Sequence, residues 1–190
     1  MGRVQYAAHF GVPQHRRRLF IVGLRDNEFQ FPTGDFGPGR VHPFVEARVA
    51  IENADPDIPN RAKITYAKKP ILRPQPYDGM LVNGGGRPIN LSEPCQTIPA
   101  SAGGNRTHIL DPKGILVEYH LDLLHGGEVR SGIVDGVRRL TVSESASIQS
   151  FPSYFEFLGT QSSRYKQVGN AVPPRLAQMV GEAIRDQLFI

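Results

Sequence analysis

The chain has 190 residues, 39% of them hydrophobic, enough to core one ordinary domain or two small ones that share an interface. Its 22 Lys and Arg against 18 Asp and Glu leave a net charge of +4, a bias too small to establish a polyanionic partner without local support. A single cysteine, Cys95, excludes an intrachain disulfide framework or a cysteine-cluster zinc site, and no apolar run has the length of a signal peptide core or a membrane span, so a reducing cytoplasmic setting is expected.

Charge is arranged in blocks. Residues 1–25 carry five Arg and no acid, 26–60 carry seven acids against two bases, and 61–113 carry eight bases against three acids. The 20 Gly and 16 Pro crowd into 31–43 and 70–114, which predicts irregular loops there. Basic, loop-rich sequence suits a surface facing a groove, although a solvated face has the same composition.

Along the chain, Arg18–Leu24 is nearly continuous apolar sequence rich in β-formers, which predicts a strand buried on both faces of a sheet. It reads as the first strand. An α/β domain needs several parallel strands joined by crossovers, so the sheet is expected to be incomplete. Met80-Leu81-Val82 and Gln96-Thr97-Ile98 are predicted short strands feeding glycine turns at 84–86 and 103–104. His120 and His125 lack the spacing of a metal site and are expected in solvent, and no metal is predicted. Thr141 and Glu144 form a capping box ahead of Ala146 and Ile148, in a short helix stopped by Phe151-Pro152. Pro173 and Pro174 open a last helix with Leu176, Val180, Ala183, Ile184 and Leu188 on one face.

The densest chemistry is Gly11-Val12-Pro13-Gln14-His15-Arg16-Arg17-Arg18. Pro13 sets a turn, Gln14 helps hold it, and strand alternation puts Arg16 and Arg18 on one side of the strand's mouth. A guanidinium offers a permanent charge and a planar donor fork suited to phosphate or to a base carbonyl. A basic edge that deters strand pairing would look the same.

This block resembles the G-V-P-Q-x-R-x-R segment of the DNA cytosine-5 methyltransferases, and three further blocks follow in that family's order. Residues 91–102 (LSEPCQTIPASA) resemble the threonine-centred segment of its target recognition domain, residues 138–152 (RRLTVSESASIQSFP) the next motif, and residues 165–174 (YKQVGNAVPP) the last one. The resemblance implies an α/β fold: an incomplete Rossmann-like methyltransferase domain using S-adenosylmethionine, from residues 1–33 and 153–190, and a small, loop-rich, mostly β target recognition domain from 34–152. Such enzymes flip cytosine out of duplex DNA, attack carbon 6 with a cysteine thiolate and methylate carbon 5.

The family's glycine loop, Pro-Cys nucleophile and Glu-Asn-Val segment have no counterpart in the chain. The resemblance therefore covers the C-terminal part, and it implies two partners: double-stranded DNA and a complementary polypeptide or N-terminal half, in prokaryotic cytoplasm. Arg16 and Arg18 would support the flipped base, and Asn170 and Ala171 would line the S-adenosylmethionine pocket. Asn83, Gly84, Gly85, Gly86, Arg87, Thr97, Ser101, Asn105 and Arg106 would meet DNA. Gln14, Thr141 and Glu144 would be structural. Pro94-Cys95-Gln96 imitates the nucleophile loop, but it follows the strand block instead of preceding it, and no basic neighbour in sequence lowers its thiol pKa. Ser143 and Ser147 stand where the family usually has Arg, which predicts weaker bracing of the recognition domain. Arg138 and Arg139 are either phosphate contacts or a solvated pair. A non-catalytic DNA-binding or regulatory module is the alternative function, and the two serines lean towards it.

Overall fold

The computed structural model describes residues 1–25, 28–101 and 103–188. Strand β1 (Gly2–Tyr6) precedes strand β2 (Arg17–Ile21) and pairs with it antiparallel, so the expected first strand is in fact the second. Between them a single turn of 3-10 helix ends at Gly11, whose φ of 73° is the left-handed conformation that favours glycine. On the inner face of this hairpin Phe20 packs with Phe10, Val12 and Leu176, and also with Phe29, Phe31 and Val180. On the outer face Val4, Leu19 and Ile21 are 57%, 62% and 79% exposed. The expectation of burial on both faces is therefore corrected: the apolar run is a strand, but this chain supplies a covering layer to one side only.

That covering layer is the last helix, α5 (Pro174–Leu188), which the double proline starts as expected. Leu176 and Val180 are buried, and Ala183 and Ile184 flank them against Val22, Leu24 and Phe29. Leu188 is more than half exposed, because the final turn runs beyond the hairpin.

Two cores hold the middle of the chain. In one, β3 (Tyr66–Ile71) and β4 (Met80–Val82) pair antiparallel, and Ile64, Leu81, Val82, Ile109 and Val134 pack on Leu116 and Tyr119 of α2 (Ile115–Leu124). Sequence reading overlooked α2. Its start is fixed by Asp111, whose carboxylate accepts from the Ile115 and Leu116 amides. His120 lies on its buried face and bonds the Arg73 carbonyl at 2.9 Å, which corrects the expectation of a solvent histidine; His125 is exposed as expected.

In the other core, Ile89, Cys95, Ile98 and Leu140 pack against three helices: α1 (Ala47–Glu52), α3 (Val142–Ile148) and α4 (Gln161–Asn170). A short antiparallel pair, β5 (Ile109–Leu110) with β6 (Arg138–Arg139), leads into α3. The capping box is present: Thr141 Oγ1 accepts from the Glu144 amide and Glu144 Oε2 accepts from the Thr141 amide. Gln96-Thr97-Ile98 is not a strand. Cys95 makes one parallel bridge to Gln14, and the chain then departs because side chains, rather than a neighbouring strand, take up its carbonyls.

The outer face of the hairpin generates a prediction. Three exposed apolar side chains beside a free strand edge promote association, so the chain alone should self-associate, and replacing both Leu19 and Ile21 by Lys should shift it towards monomer in sedimentation velocity while changing stability by less than about 1 kcal/mol.

Candidate functional site

Alternation along β2 does place Arg16 and Arg18 side by side, but in different environments. Arg16 is 1% exposed, and its guanidinium donates to the carbonyls of Ile98 (2.9 Å), Gly169 (2.6 Å) and Ala171 (2.8 Å). Three segments far apart in sequence thus converge on one side chain: the start of β2, the 95–101 segment and the end of α4. Arg18 stands at the rim. It donates to the Arg17 and Ala171 carbonyls at 3.0 and 3.3 Å, which leaves other N–H groups of its fork free. Partial burial lowers its pKa, but from so high a starting value that the charge persists.

Gly169 is helical, and its lack of a side chain is needed: an added Cβ would strike the Pro99 carbonyl and come within 2.8 Å of the Ala100 Cα. The turn falls at Ala171, which is extended, with its N–H bonded to the Gln167 and Val168 carbonyls and its own carbonyl taken by the two arginines. Ala171 therefore has only its methyl group to offer a ligand. Asn170 is exposed, and its side-chain amide has no partner among the described residues. Gln14 holds the turn through its main chain, donating to the Val12 carbonyl, while both polar atoms of its buried side chain are without partners among the described residues, which corrects the role expected for that side chain.

The glycine loops meet each other. A Cβ on Gly84 would collide with Asn105, and one on Gly86 with the Thr107 carbonyl and with Arg139, so these glycines permit an internal approach rather than one to DNA. Of residues 84–86 only Gly85 is open, with a positive φ of 76°. Asn83 is largely engaged within the protein: its Oδ1 accepts from the Thr65 amide and from Arg139, and its Nδ2 donates one hydrogen to the Lys63 carbonyl. Thr97 is exposed, but its hydroxyl donates to the His15 carbonyl at 2.5 Å. Ser101, Asn105 and Arg106 are exposed, and Arg87 is half-buried. Ala102, the last residue of the expected recognition block, lies outside the described residues.

Arg139 corrects a further expectation. It is 1% exposed and donates to the Thr107 carbonyl (2.9 Å) and the Asn83 carbonyl (3.0 Å), clamping the two glycine loops together. Arg138 forks onto the Glu144 carboxylate at 2.5 and 2.8 Å. The bracing expected to be weak where Ser143 and Ser147 stand is provided differently: the Ser143 amide donates to Asp57, the Ser147 hydroxyl to the Ala50 carbonyl, and Arg164 pairs with Asp57 at 3.2 Å. Asn60 adds a tie from the Gly104 carbonyl to the Tyr165 hydroxyl, which itself donates to the Leu140 carbonyl at 2.6 Å. Burial pushes the Tyr165 pKa up to about 12, so it remains a donor. The ties made by Asn60 and Tyr165 and the inward role of Arg139 escaped sequence reading, since their partners lie far away along the chain.

Cys95 is buried, and burial raises its thiol pKa well above the ordinary range, which leaves it a poor nucleophile. His108 is also buried. Its Nε2 bonds the Thr97 carbonyl at 3.2 Å, and desolvation, opposed in part by that bond, pushes its pKa down to about 4. Among the described residues no three His, Cys, Asp or Glu side chains are grouped to hold a metal ion, and no helix is long and apolar enough to cross a membrane.

This architecture is shared with solved methyltransferases. The chain in full superimposes on 54% of the Entamoeba histolytica methyltransferase EhMeth (TM-score 0.58, 16% identity) and on 57% of the S. pombe Dnmt2 methyltransferase (TM-score 0.55, 10% identity), so the fold is the α/β fold of that class. The family model for C-5 cytosine-specific DNA methylase matches residues 116–186. The Type II methyltransferase M.SacI of Streptomyces achromogenes is 32% identical over 98% of the chain and 51% of its own length, and M.AplI of Arthrospira platensis is 31% identical over 94% of the chain and 45% of its own length. The chain is similar in sequence to C-5 cytosine-specific DNA methylases, and it spans about half the length of the curated relatives it matches.

Two stability measurements probe this junction. Arg16→Met should cost about 3 kcal/mol or more in denaturant unfolding, because three buried carbonyls lose a charged donor at once. An unfolded histidine titrates near 6.5, whereas folded His108 does so near 4, so its contribution is complete above pH 6.5 and is lost as pH falls from there towards 4. Unfolding of His108→Gln should show a shallower loss of stability across that window than the parent chain.

Proposed function

We propose that the chain is the C-terminal portion or subunit of a DNA cytosine-5 methyltransferase. It acts on double-stranded DNA when joined to a complementary part that carries the glycine loop, the Pro-Cys nucleophile and the Glu-Asn-Val segment. The observation that carries this reading is the Arg16 junction, which draws the strand block, the recognition segment and the last motif to one point with Arg18 open beside it. Residues 1–33 and 153–190 are assigned to the catalytic domain and 34–152 to target recognition. The hairpin and α5 share a core separate from that of the middle segment, in support of the division, while Tyr165 and Val168 of α4 pack with Ile98 and Leu140 and make that helix the bridge. The exposed outer face and free edge of β2 support an incomplete Rossmann-like sheet that the complementary part extends.

S-adenosylmethionine, when bound, supplies the methyl group. Asn170, with its side-chain amide uncommitted, would hydrogen-bond it, and the Ala171 methyl would pack against it. Arg18 holds a fixed positive charge beside the flipped cytosine and stabilises electron density gathered on the ring after nucleophilic attack. Arg16 is a positioning residue, since its donors are committed to main chain. The attacking thiolate comes from the complementary part, because Cys95 is buried and its thiol stays protonated. Gly85, Arg87, Thr97, Ser101, Asn105 and Arg106 face the DNA, with Asn83, Gly84 and Gly86 holding their loops in shape. The setting is prokaryotic cytoplasm, in association with DNA.

The test is reconstitution with a polypeptide carrying the three absent segments. The isolated chain should transfer no labelled methyl group to duplex DNA, and the reconstituted enzyme should. In that enzyme Arg18→Ala should lower the single-turnover rate by about a hundredfold with DNA affinity nearly unchanged, as for loss of one electrostatic stabiliser. Cys95→Ser should leave the rate intact.

A further inference from the structure

The recognition loop does not project freely from the protein. Pro99 and Ala100 press on Gly169 near the C-terminal end of α4, and Gly103 lies beside Ser162 in its first turn, so the two ends of the loop meet opposite ends of the helix in antiparallel order. Seven residues of helix separate Ser162 from Gly169, a rise of about 10 Å. Asn60 pins the far end of the loop, donating to the Gly104 carbonyl at 3.0 Å and to the Tyr165 hydroxyl at 3.3 Å.

Loop and helix enclose an open cleft of about 600 Å³ lined by Ser101, Gly103, Asn105, Arg106, Ser162 and Lys166. Ser162 and Lys166 are four residues apart on α4 and so share a face. No carboxylate lines the cleft, and among the described residues neither Arg106 nor Lys166 forms an ion pair or a side-chain hydrogen bond. Two cations thus line one cleft on a braced surface, together with two serines and no carboxylate. That arrangement attracts phosphate, because an ammonium and a hydroxyl both donate to its oxygens and like charges brought together gain from an anion placed between them.

We propose that α4 is the second wall of the DNA-binding surface: Lys166 and Ser162 hold one backbone phosphate, and Arg106, across the cleft, holds a neighbouring one. This rests on the reading of the chain as part of a DNA methyltransferase. It also gives α4 a specific task. Ser162 near one end contacts the DNA backbone and Asn170 at the other faces the cofactor, about 12 Å apart along a rigid element.

The experiment is a salt series of duplex-DNA affinities for the full chain, read by fluorescence anisotropy. Each phosphate contact contributes about 0.9 to the slope of log K against log salt. Lys166→Gln and Arg106→Gln should each lower the slope by about 0.9, with thermal melting unchanged, and Lys166→Gln should weaken binding equally on all sequences. Arg185→Gln, on α5, should leave the slope alone. A chain that binds duplex DNA with the parent slope in Lys166→Gln overturns this inference while the proposed function stands. So does an equal slope change in Arg185→Gln, or binding of inorganic phosphate at Lys166 without any change in the DNA slope. Failure to bind duplex DNA even when the complementary part is present overturns both.

Discussion

A buried guanidinium with no carboxylate partner holds this chain together. Arg16 spends its donors on the carbonyls of Ile98, Gly169 and Ala171, and each bond gains strength from the full charge and from its removal from water. A carboxylate partner would have tied Arg16 to one residue. Main-chain carbonyls tie it to two distant segments whose placement relative to its own strand defines the site, and they do so without constraining which side chains those segments carry. Arg18 inherits its position from this arrangement, because it shares the Ala171 carbonyl with its neighbour.

The same device recurs at the recognition loops. Arg139 clamps Thr107 to Asn83, and the space it occupies is available because Gly86 has no Cβ. Gly84 allows the other loop, at Asn105, to lie directly on it. Loops rich in glycine lose more conformational entropy on folding than others, so a rigid reading surface built from them needs strong, buried cross-links. The serines at 143 and 147 fit this picture, since their surroundings are tied together by Asp57, Arg164 and main-chain contacts.

The apolar outer face of the hairpin and the uncovered edge of β2 have the opposite character. The carbonyls around Arg16 are satisfied internally, whereas Val4, Leu19 and Ile21 stay largely exposed. A surface of that kind is stable when another layer covers it. This agrees with the half-length match to the curated relatives.

Local chemistry was legible in the sequence wherever neighbours along the chain decide the outcome. The capping box of Thr141 and Glu144, the proline start of α5, the β-character of Arg18–Ile21 within the longer apolar run to Leu24, and the shared side of Arg16 and Arg18 all follow from interactions within a few residues or from strand alternation. The order of the four motif blocks carried the family. Tertiary structure alone decided what those side chains do. It buried Arg16 and left Arg18 at the rim, turned Arg139 and Asn83 inward, made Gly169 a contact point with Pro99, and brought both ends of the recognition loop against α4. In each case the partner is a carbonyl or a backbone segment tens of residues away. Main-chain groups are the same at every position, so no pattern of residue types marks which of them will be the acceptor.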